Sequence, residues 1–178
     1  MSDGLTPPAR CPACGLAQPL GATLWCRACG RPLEPSAPPD RQPPTVLCID
    51  DDRLLLTLCC DALEREGYRT LIATDGLSGI QTARNVRPDL ILLDVIMPEM
   101  DGLETCRRLR AVPELRHTPI VLLTASPDLK LDAQGRAAGA TLTLRKPFGP
   151  GLILSSIQQI LQAAGIPPAA PRPADGPC

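Results

Sequence analysis

Short apolar runs that each end in polar residues recur at regular intervals through the middle of the chain. They are Thr45–Ile49, Arg69–Ala73, Leu90–Asp94, Pro119–Thr124 and Thr141–Leu144. Leu90-Ile91-Leu92-Leu93 is the strongest of them. Four consecutive apolar residues, with Pro88 and Asp89 before and Asp94 after, predict a strand buried on both faces. Between the runs the apolar positions change to helical spacing. Leu56, Cys59, Cys60 and Leu63 share one face of a helix predicted over Arg53–Glu66, which Gly67 ends. Further helices are predicted from Asp75-Gly76 to about Val86 and over Leu103–Ala111, Leu129–Ala138 and Gly151–Ala164. Gly135 is expected to weaken the fourth of them.

Five strands alternating with five helices predict an α/β fold with a parallel sheet and right-handed crossovers. The expected strand order is flavodoxin-like, 2-1-3-4-5, with helices on both faces and the switch point between the first and third strands. Ligands bind in such sheets at the carboxyl ends of strands. The residues placed there are Asp50, Asp51 and Asp94 at the switch, with Thr124 and Lys146 on the next strands out.

Composition changes the picture mainly at the two ends. The 22 prolines cluster there and leave an ordinary globular middle. The expected organisation is a flexible start over 1–10, a cysteine unit over 11–33 and a Pro-rich linker over 34–44. The main domain then covers 45–165, and a Pro/Ala-rich disordered tail covers 166–178. Lys plus Arg number 18 and Asp plus Glu 19, which gives no electrostatic case for nucleic acid or an anionic membrane as partner. The first residues lack the apolar centre of a signal peptide, and no apolar run approaches the ~20 residues of a membrane span. A cytoplasmic location is expected.

Cys11-Pro-Ala-Cys14-Gly15 and Cys26-Arg-Ala-Cys29-Gly30 are two copies of one C-x2-C-G pattern, with eleven residues between Cys14 and Cys26. Two such knuckles present four sulfurs in a tetrahedron, which suits a structural Zn²⁺; a rubredoxin-like iron site is the alternative. The unit resembles a small zinc ribbon. So short a segment buries no core, so metal binding would supply its folding energy. Arg10, Trp25, Arg27 and Arg31 read as ordinary surface rather than a nucleic-acid patch.

Three carboxylates at one sheet edge repel each other and stay ionised only beside a cation. Oxygen ligands favour Mg²⁺ or Mn²⁺. Together with the Lys146 ammonium and the Thr124 hydroxyl, such an ion provides what an incoming phosphoryl group needs, with Asp94 as nucleophile.

The segments VLCIDDD, LLDVIMPEMDG, LLTAS and RKPF, in this order and spacing, resemble the response-regulator receiver domain over about Thr45 to Ala164. The resemblance implies that Asp94 is the phosphoacceptor and that Asp50 and Asp51 form the acidic pair. It implies Mg²⁺ held at Asp51, Asp94 and the Ile96 carbonyl, with Asp50 in the same acidic site. Thr124 would move to hydrogen-bond the phosphate, and Lys146 would pair with it. A histidine kinase or phosphotransfer protein would supply the phosphoryl group, and a downstream protein would read the result. The protein would phosphorylate and dephosphorylate itself without being a turnover enzyme. Two departures stand out: Thr143 occupies the family's aromatic switch position, and the last helix shows Ser155, Ser156, Gln158, Gln159 and Gln162 in place of a charged dimer face.

Asp52 and Asp101 are expected to cap helices and His117 to sit in a loop. Cys48, Cys59, Cys60 and Cys106 are expected as small core residues. The functional expectation is a phosphorylation-controlled switch without a DNA-binding output domain. The alternatives are a zinc-ribbon interaction scaffold, or a DNA-binding regulator, in which the receiver fold only docks. A Mg²⁺-dependent hydrolase is disfavoured by the want of a general acid.

Overall fold

The computed structural model describes residues 9–10, 17–18, 28–29, 42–128, 130–147, 149–167 and 169. The chain divides into two units, 1–42 and 43–178. In the first, Ala9–Arg10 pairs antiparallel with Ala17–Gln18, and Ala28–Cys29 forms a turn with Cys29 exposed. Cys11, Cys14 and Cys26 lie outside the described residues, as do most of the predicted linker and residues 170–178.

The second unit is a five-stranded parallel sheet. Its strands are β1 (Thr45–Ile49), β2 (Arg69–Ala73), β3 (Leu90–Asp94), β4 (Ile120–Thr124) and β5 (Leu142–Arg145). Their order is β2-β1-β3-β4-β5, as the alternating pattern predicts. The helices are α1 (Arg53–Arg65), α2 (Gly76–Val86), α3 (Gly102–Ala111), α4 (Lys130–Ala138) and α5 (Pro150–Ala163). A 3-10 turn over Pro113–Leu115 was not predicted.

Alternation along the central strands divides the core in two. Leu47, Ile49, Ile91, Leu93, Ile120 and Leu122 face Ile80, Ala83, Cys106 and Leu109 from α2 and α3, with Ala138 from α4. Val46, Cys48, Leu90, Leu92, Val121 and Leu123 face Leu56, Cys60 and Leu63 of α1 and Ile153, Ile157 and Leu161 of α5. All five residues of β3 and of β4 are buried, so the centre of the sheet is covered on both sides. At roughly 1.5–3 kcal/mol for each large aliphatic side chain removed from water, these two layers dominate the fold's stability.

Capping fixes where the helices begin and end. Asp52 Oδ1 accepts the amides of Leu54 at 2.9 Å and Leu55 at 3.2 Å. Asp101 Oδ1 accepts that of Glu104 at 2.7 Å, so both expected caps are present. The carboxyl ends of α1 and α5 close with a glycine at positive φ, Gly67 at 86° and Gly165 at 73°. In each, two amides turn back onto the last turn: Gly67 to Glu64 and Tyr68 to Leu63, then Gly165 to Gln162 and Ile166 to Leu161.

Two expectations change. The disordered tail does not begin at residue 166, because Ile166 and Ala169 pack against the α1–α5 core layer. The Gly165 turn directs them there. Gly135, expected only as a cost to α4, also has a packing role. A Cβ there would stand 2.9 Å from Leu122 Cδ1 and 3.0 Å from Thr143 Oγ1, so its bareness lets α4 close onto the sheet.

Candidate functional site

The site lies where β1 and β3 end side by side. Both strands leave the sheet into polar residues, and parallel pairing brings Ile49 opposite Leu93. Asp50 and Asp94 follow at the same level, with 3% and 4% of their surface exposed. Asp51 is exposed. One carboxylate oxygen from each of Asp50, Asp51 and Asp94 lies within 4.8 Å of the others. It is the one group of three or more potential metal-ligating side chains among the described residues.

Every oxygen of the two buried acids has a donor. Asp50 Oδ1 accepts the Asp52 amide at 2.9 Å, and Asp50 Oδ2 accepts Lys146 Nζ at 2.9 Å. Asp94 Oδ1 accepts Lys146 Nζ at 2.6 Å, and Asp94 Oδ2 accepts the Ile96 amide at 2.7 Å. Lys146 reaches the site from the end of β5, where its own amide is held by the Thr124 carbonyl at 2.7 Å. The peptide bond from Lys146 to Pro147 is cis.

Burial pushes the Asp94 carboxyl above the usual carboxylate range, and the charge of Asp50 adds to the rise. The hydrogen bond and charge of Lys146 oppose both without cancelling them. For Lys146, burial pulls the ammonium down, but its bonds to Asp94 and Asp50 win, and it stands above the ordinary lysine value. Three carboxylates meet here around one ammonium, so the corner carries more negative charge than Lys146 neutralises. A divalent cation among these oxygens would relieve the excess, and carboxylates with water access suit Mg²⁺ or Mn²⁺.

Thr124 ends β4 and is fully buried. Its Oγ1 accepts the Ser126 amide at 3.0 Å. Ile96 presents its amide to Asp94, while its side chain is 60% exposed. Thr143 is half-buried on β5, close to the space above Gly135. Gly102, which opens α3, completes the corner. A Cβ there would meet the Asp94 carbonyl oxygen at 2.1 Å and Val95 Cα at 2.7 Å, so only glycine lets the α3 start lie against the strand that carries Asp94.

Residues 46–158 match the response regulator receiver domain. The chain belongs to that family. Receiver domains bind Mg²⁺ at an acidic site and interact with histidine kinases or phosphotransfer proteins. Among relatives, the alkaline phosphatase synthesis transcriptional regulatory protein PhoP of Bacillus subtilis is 36% identical over 126 residues, covering 71% of this chain and 51% of PhoP. The DNA-binding dual master transcriptional regulator RpaA of Synechocystis is 37% identical over 128 residues, covering 71% of this chain and 53% of RpaA. The chain thus spans about half the length of these regulators. Among solved structures, the Vibrio cholerae chemotaxis protein CheY4 superposes with a TM-score of 0.65 at 34% identity, covering 67% of this chain and 99% of CheY4. Among the described residues, no helix is long and apolar enough to cross a membrane.

The sequence reading placed Asp50, Asp51, Asp94 and Lys146 together, and the receiver domain does bring them into one corner. It did not foresee the Asp50–Lys146 ion pair, nor the role of Gly102 as a spacer. At that corner the sequence marks only Asp101, as a helix cap.

Proposed function

We propose that this receiver domain is a phosphorylation-controlled switch with Asp94 as its phosphoacceptor. The observation that supports the reading best is the excess of negative charge around a buried, lysine-tethered Asp94. Asp94 would attack the phosphoryl group of a phosphohistidine on a histidine kinase or phosphotransfer protein. Its carboxylate oxygen would form the new P–O bond as the P–N bond breaks, and the electron pair would leave with the imidazole. Mg²⁺ at Asp50, Asp51, Asp94 and the Ile96 carbonyl would neutralise charge on the transferring group. Lys146 would follow the phosphoryl group and pair with it. Thr124 would release the Ser126 amide and donate to a phosphate oxygen, carrying the loop after β4 with it. Protein contacts on that side would then change, which a downstream partner could read.

Acetyl phosphate with Mg²⁺ tests the reading. One phosphate per chain is expected on the wild type and none on Asp94→Asn, whose amide fills the same space without a nucleophilic oxygen. Normal labelling of the variant overturns the assignment. Beryllofluoride should shift backbone resonances near Asp94 and Thr124; unchanged spectra would favour a scaffold that only docks.

For the N-terminal unit we propose one Zn²⁺ held by Cys11, Cys14, Cys26 and Cys29. The duplicated spacing supports it, as does the antiparallel pair that flanks the first C-x2-C. Native mass spectrometry should show one zinc that is lost in Cys14→Ser.

A further inference from the structure

The two edges of the sheet are finished differently. β5 closes with Arg145, which pairs with Asp132 of α4 at 3.6 Å. Charge on an edge strand discourages a further strand from adding there. β2 carries no such charge along its centre. Thr70-Leu71-Ile72-Ala73-Thr74 holds no charged residue, proline or glycine. Among the described residues, no strand pairs with the outer side of β2. Ile72 is 60% exposed there, a large apolar side chain on an open edge.

The direction of the backbone groups follows from the bonds β2 already makes. The Arg69 amide donates to the Pro44 carbonyl at 3.0 Å, and the Ala73 carbonyl accepts the Asp50 amide at 3.2 Å, both on the β1 side. Direction alternates along a strand, so Leu71 also turns toward β1, while Thr70, Ile72 and Thr74 turn their amides and carbonyls outward. On the α1 side this edge borders a groove that Ile72 shares with Arg53, Thr57, Glu64 and Thr70. Charges of opposite sign sit at its two ends. Glu64 accepts the Thr70 hydroxyl at one end. α1 runs back across the sheet from the carboxyl ends of the strands, so Arg53, its first residue, lies at the Thr74 end.

We propose that the β2 edge binds a second copy of this chain, strand to antiparallel strand, about a two-fold axis at Ile72. In that register outward groups meet outward groups: Ile72 faces its own copy, and Thr70 faces Thr74. It also sets Arg69, which is exposed, opposite Asp75, whose extended backbone (φ −158°, ψ 164°) carries on from the strand. A two-fold axis at Leu71 would join the same backbone groups but leave Arg69 opposite Ala73, with no charge to meet. The axis at Ile72 is perpendicular to the sheet, so both α1 helices lie on one face and run antiparallel. The Glu64 end of each groove then faces the Arg53 end of the other, and the two exposed isoleucines cover each other at the centre. Each copy offers the same edge to the other, so the contact is self-complementary and closes at two chains. It uses neither Asp94 nor Lys146 and forms without phosphorylation.

The test follows amide hydrogen exchange of the full chain by NMR over rising protein concentration in reducing buffer, with light scattering for the mass. Protection of the Thr70 and Ile72 amides should grow as the mass moves toward that of two chains. The Arg69 and Leu71 amides, already bonded on the β1 side, should change little. Ile72→Lys sets two ammonium groups against each other and should weaken association about tenfold or more. Arg53→Glu should weaken it less, and adding Glu64→Arg to the same chain should recover it. A monomer at every concentration overturns the proposal, as does a dimer whose Thr70 and Ile72 amides stay unprotected. Protection of those amides that does not vary with concentration also overturns it, since the chain's own residues 170–178 would then be the occupant. The wild-type exchange decides even if a variant fails to fold.

Discussion

Lys146 and Arg110 are both half-buried cations, but they sit among different oxygens. Arg110 reaches from α3 to three neutral carbonyls. Its Nε donates to Gly139 at 2.8 Å, and its Nη1 donates to Leu115 at 3.0 Å and Thr118 at 2.7 Å. It thereby ties α3 to the 3-10 turn, to the approach to β4 and to the end of α4. Burial holds its guanidinium somewhat below the usual value, and no carboxylate is needed to keep it in place. Lys146 meets two buried carboxylates instead and stands above its usual value, yet Asp94 remains above its own. At the Arg110 corner the local demands are met. At the Lys146 corner they conflict, and an arriving cation or phosphoryl group would find work to do. A polar cluster that only stabilises and one that is held ready for chemistry can thus be told apart by whether each member's charge is satisfied.

Each corner also has a tight glycine, which allows the sharpest test. Gly102→Ala drives a methyl group into the Asp94 backbone, where nothing flexible can yield. It should cost about 3 kcal/mol or more and abolish phosphorylation in whatever fraction folds. Gly139→Ala meets the Arg110 side chain at 2.8 Å and a φ of +94°. It should cost about 1–2 kcal/mol and leave phosphorylation intact. Urea titrations of both variants check the ranking, and equal costs would break the contrast between a backbone contact and a side-chain contact.

Arg110→Ala comes next. Losing hydrogen bonds from a charged donor to three carbonyls should cost about 2–3 kcal/mol, with partial solvent access limiting the loss. Acetyl phosphate labelling per folded molecule should stay at the wild-type level. If labelling falls in proportion to stability, the two corners are coupled and the contrast between them fails.

Asp94→Asn should act in the opposite direction. The folded-state carboxyl value of Asp94 is raised, so in the metal-free protein its ionised form costs stability at neutral pH. That cost fades as pH falls through the folded value and is gone below the unfolded value. Asn resembles the uncharged acid, and Lys146 keeps Asp50 as a partner. With a chelator present, the variant should melt above wild type at pH 7, and the gap should close on acidification. Mg²⁺ should narrow it from the other side by stabilising the wild type. A variant that melts lower at pH 7 would show that the Lys146 pair outweighs the conflict.

Much of this is legible in the sequence, for local reasons. The bounds of β1, β2 and β3 follow from apolar runs that stop at Asp50, Thr74 and Asp94. Asp52 and Asp101 were read as caps because an acid just ahead of an amphipathic stretch meets free amides. The acidic corner was readable because the topology brings the ends of the first and third strands together. What escaped depended on contacts distant in sequence. Nothing local marks Arg110 as a carbonyl tie spanning 29 residues to Gly139. Gly135 reads locally only as a cost to its helix because the neighbours it lies against, Leu122 and Thr143, are on other elements. The Pro/Ala-rich composition hid the packing of Ile166, which depends on the turn at Gly165.

The smallest effect expected concerns how long the phosphoryl group would stay on Asp94. Hydrolysis needs a water lined up opposite the aspartyl oxygen, and flanking side chains can hold or exclude it. By resemblance to the family, the flanking positions are two residues after the phosphoacceptor and two after the threonine, here Ile96 and Ser126. Ile96 is branched and apolar. It is 60% exposed beside the site, and its amide is committed to Asp94. Ser126 could orient a water, but its hydroxyl accepts the Asp128 amide at 3.2 Å and its own amide is held by Thr124. The hydroxyl thus spends one acceptor site on its own loop and keeps only its proton and one lone pair for a water, while the apolar side chain stands at the site without offering a hydrogen bond. Slow loss of phosphate follows. Ile96→Asn, which adds a donor and an acceptor in place of the apolar branch, should speed the decay several-fold. The decay of phosphorylated protein in Mg²⁺ buffer measures it, and equal or slower decay in the variant would remove Ile96 as the gate.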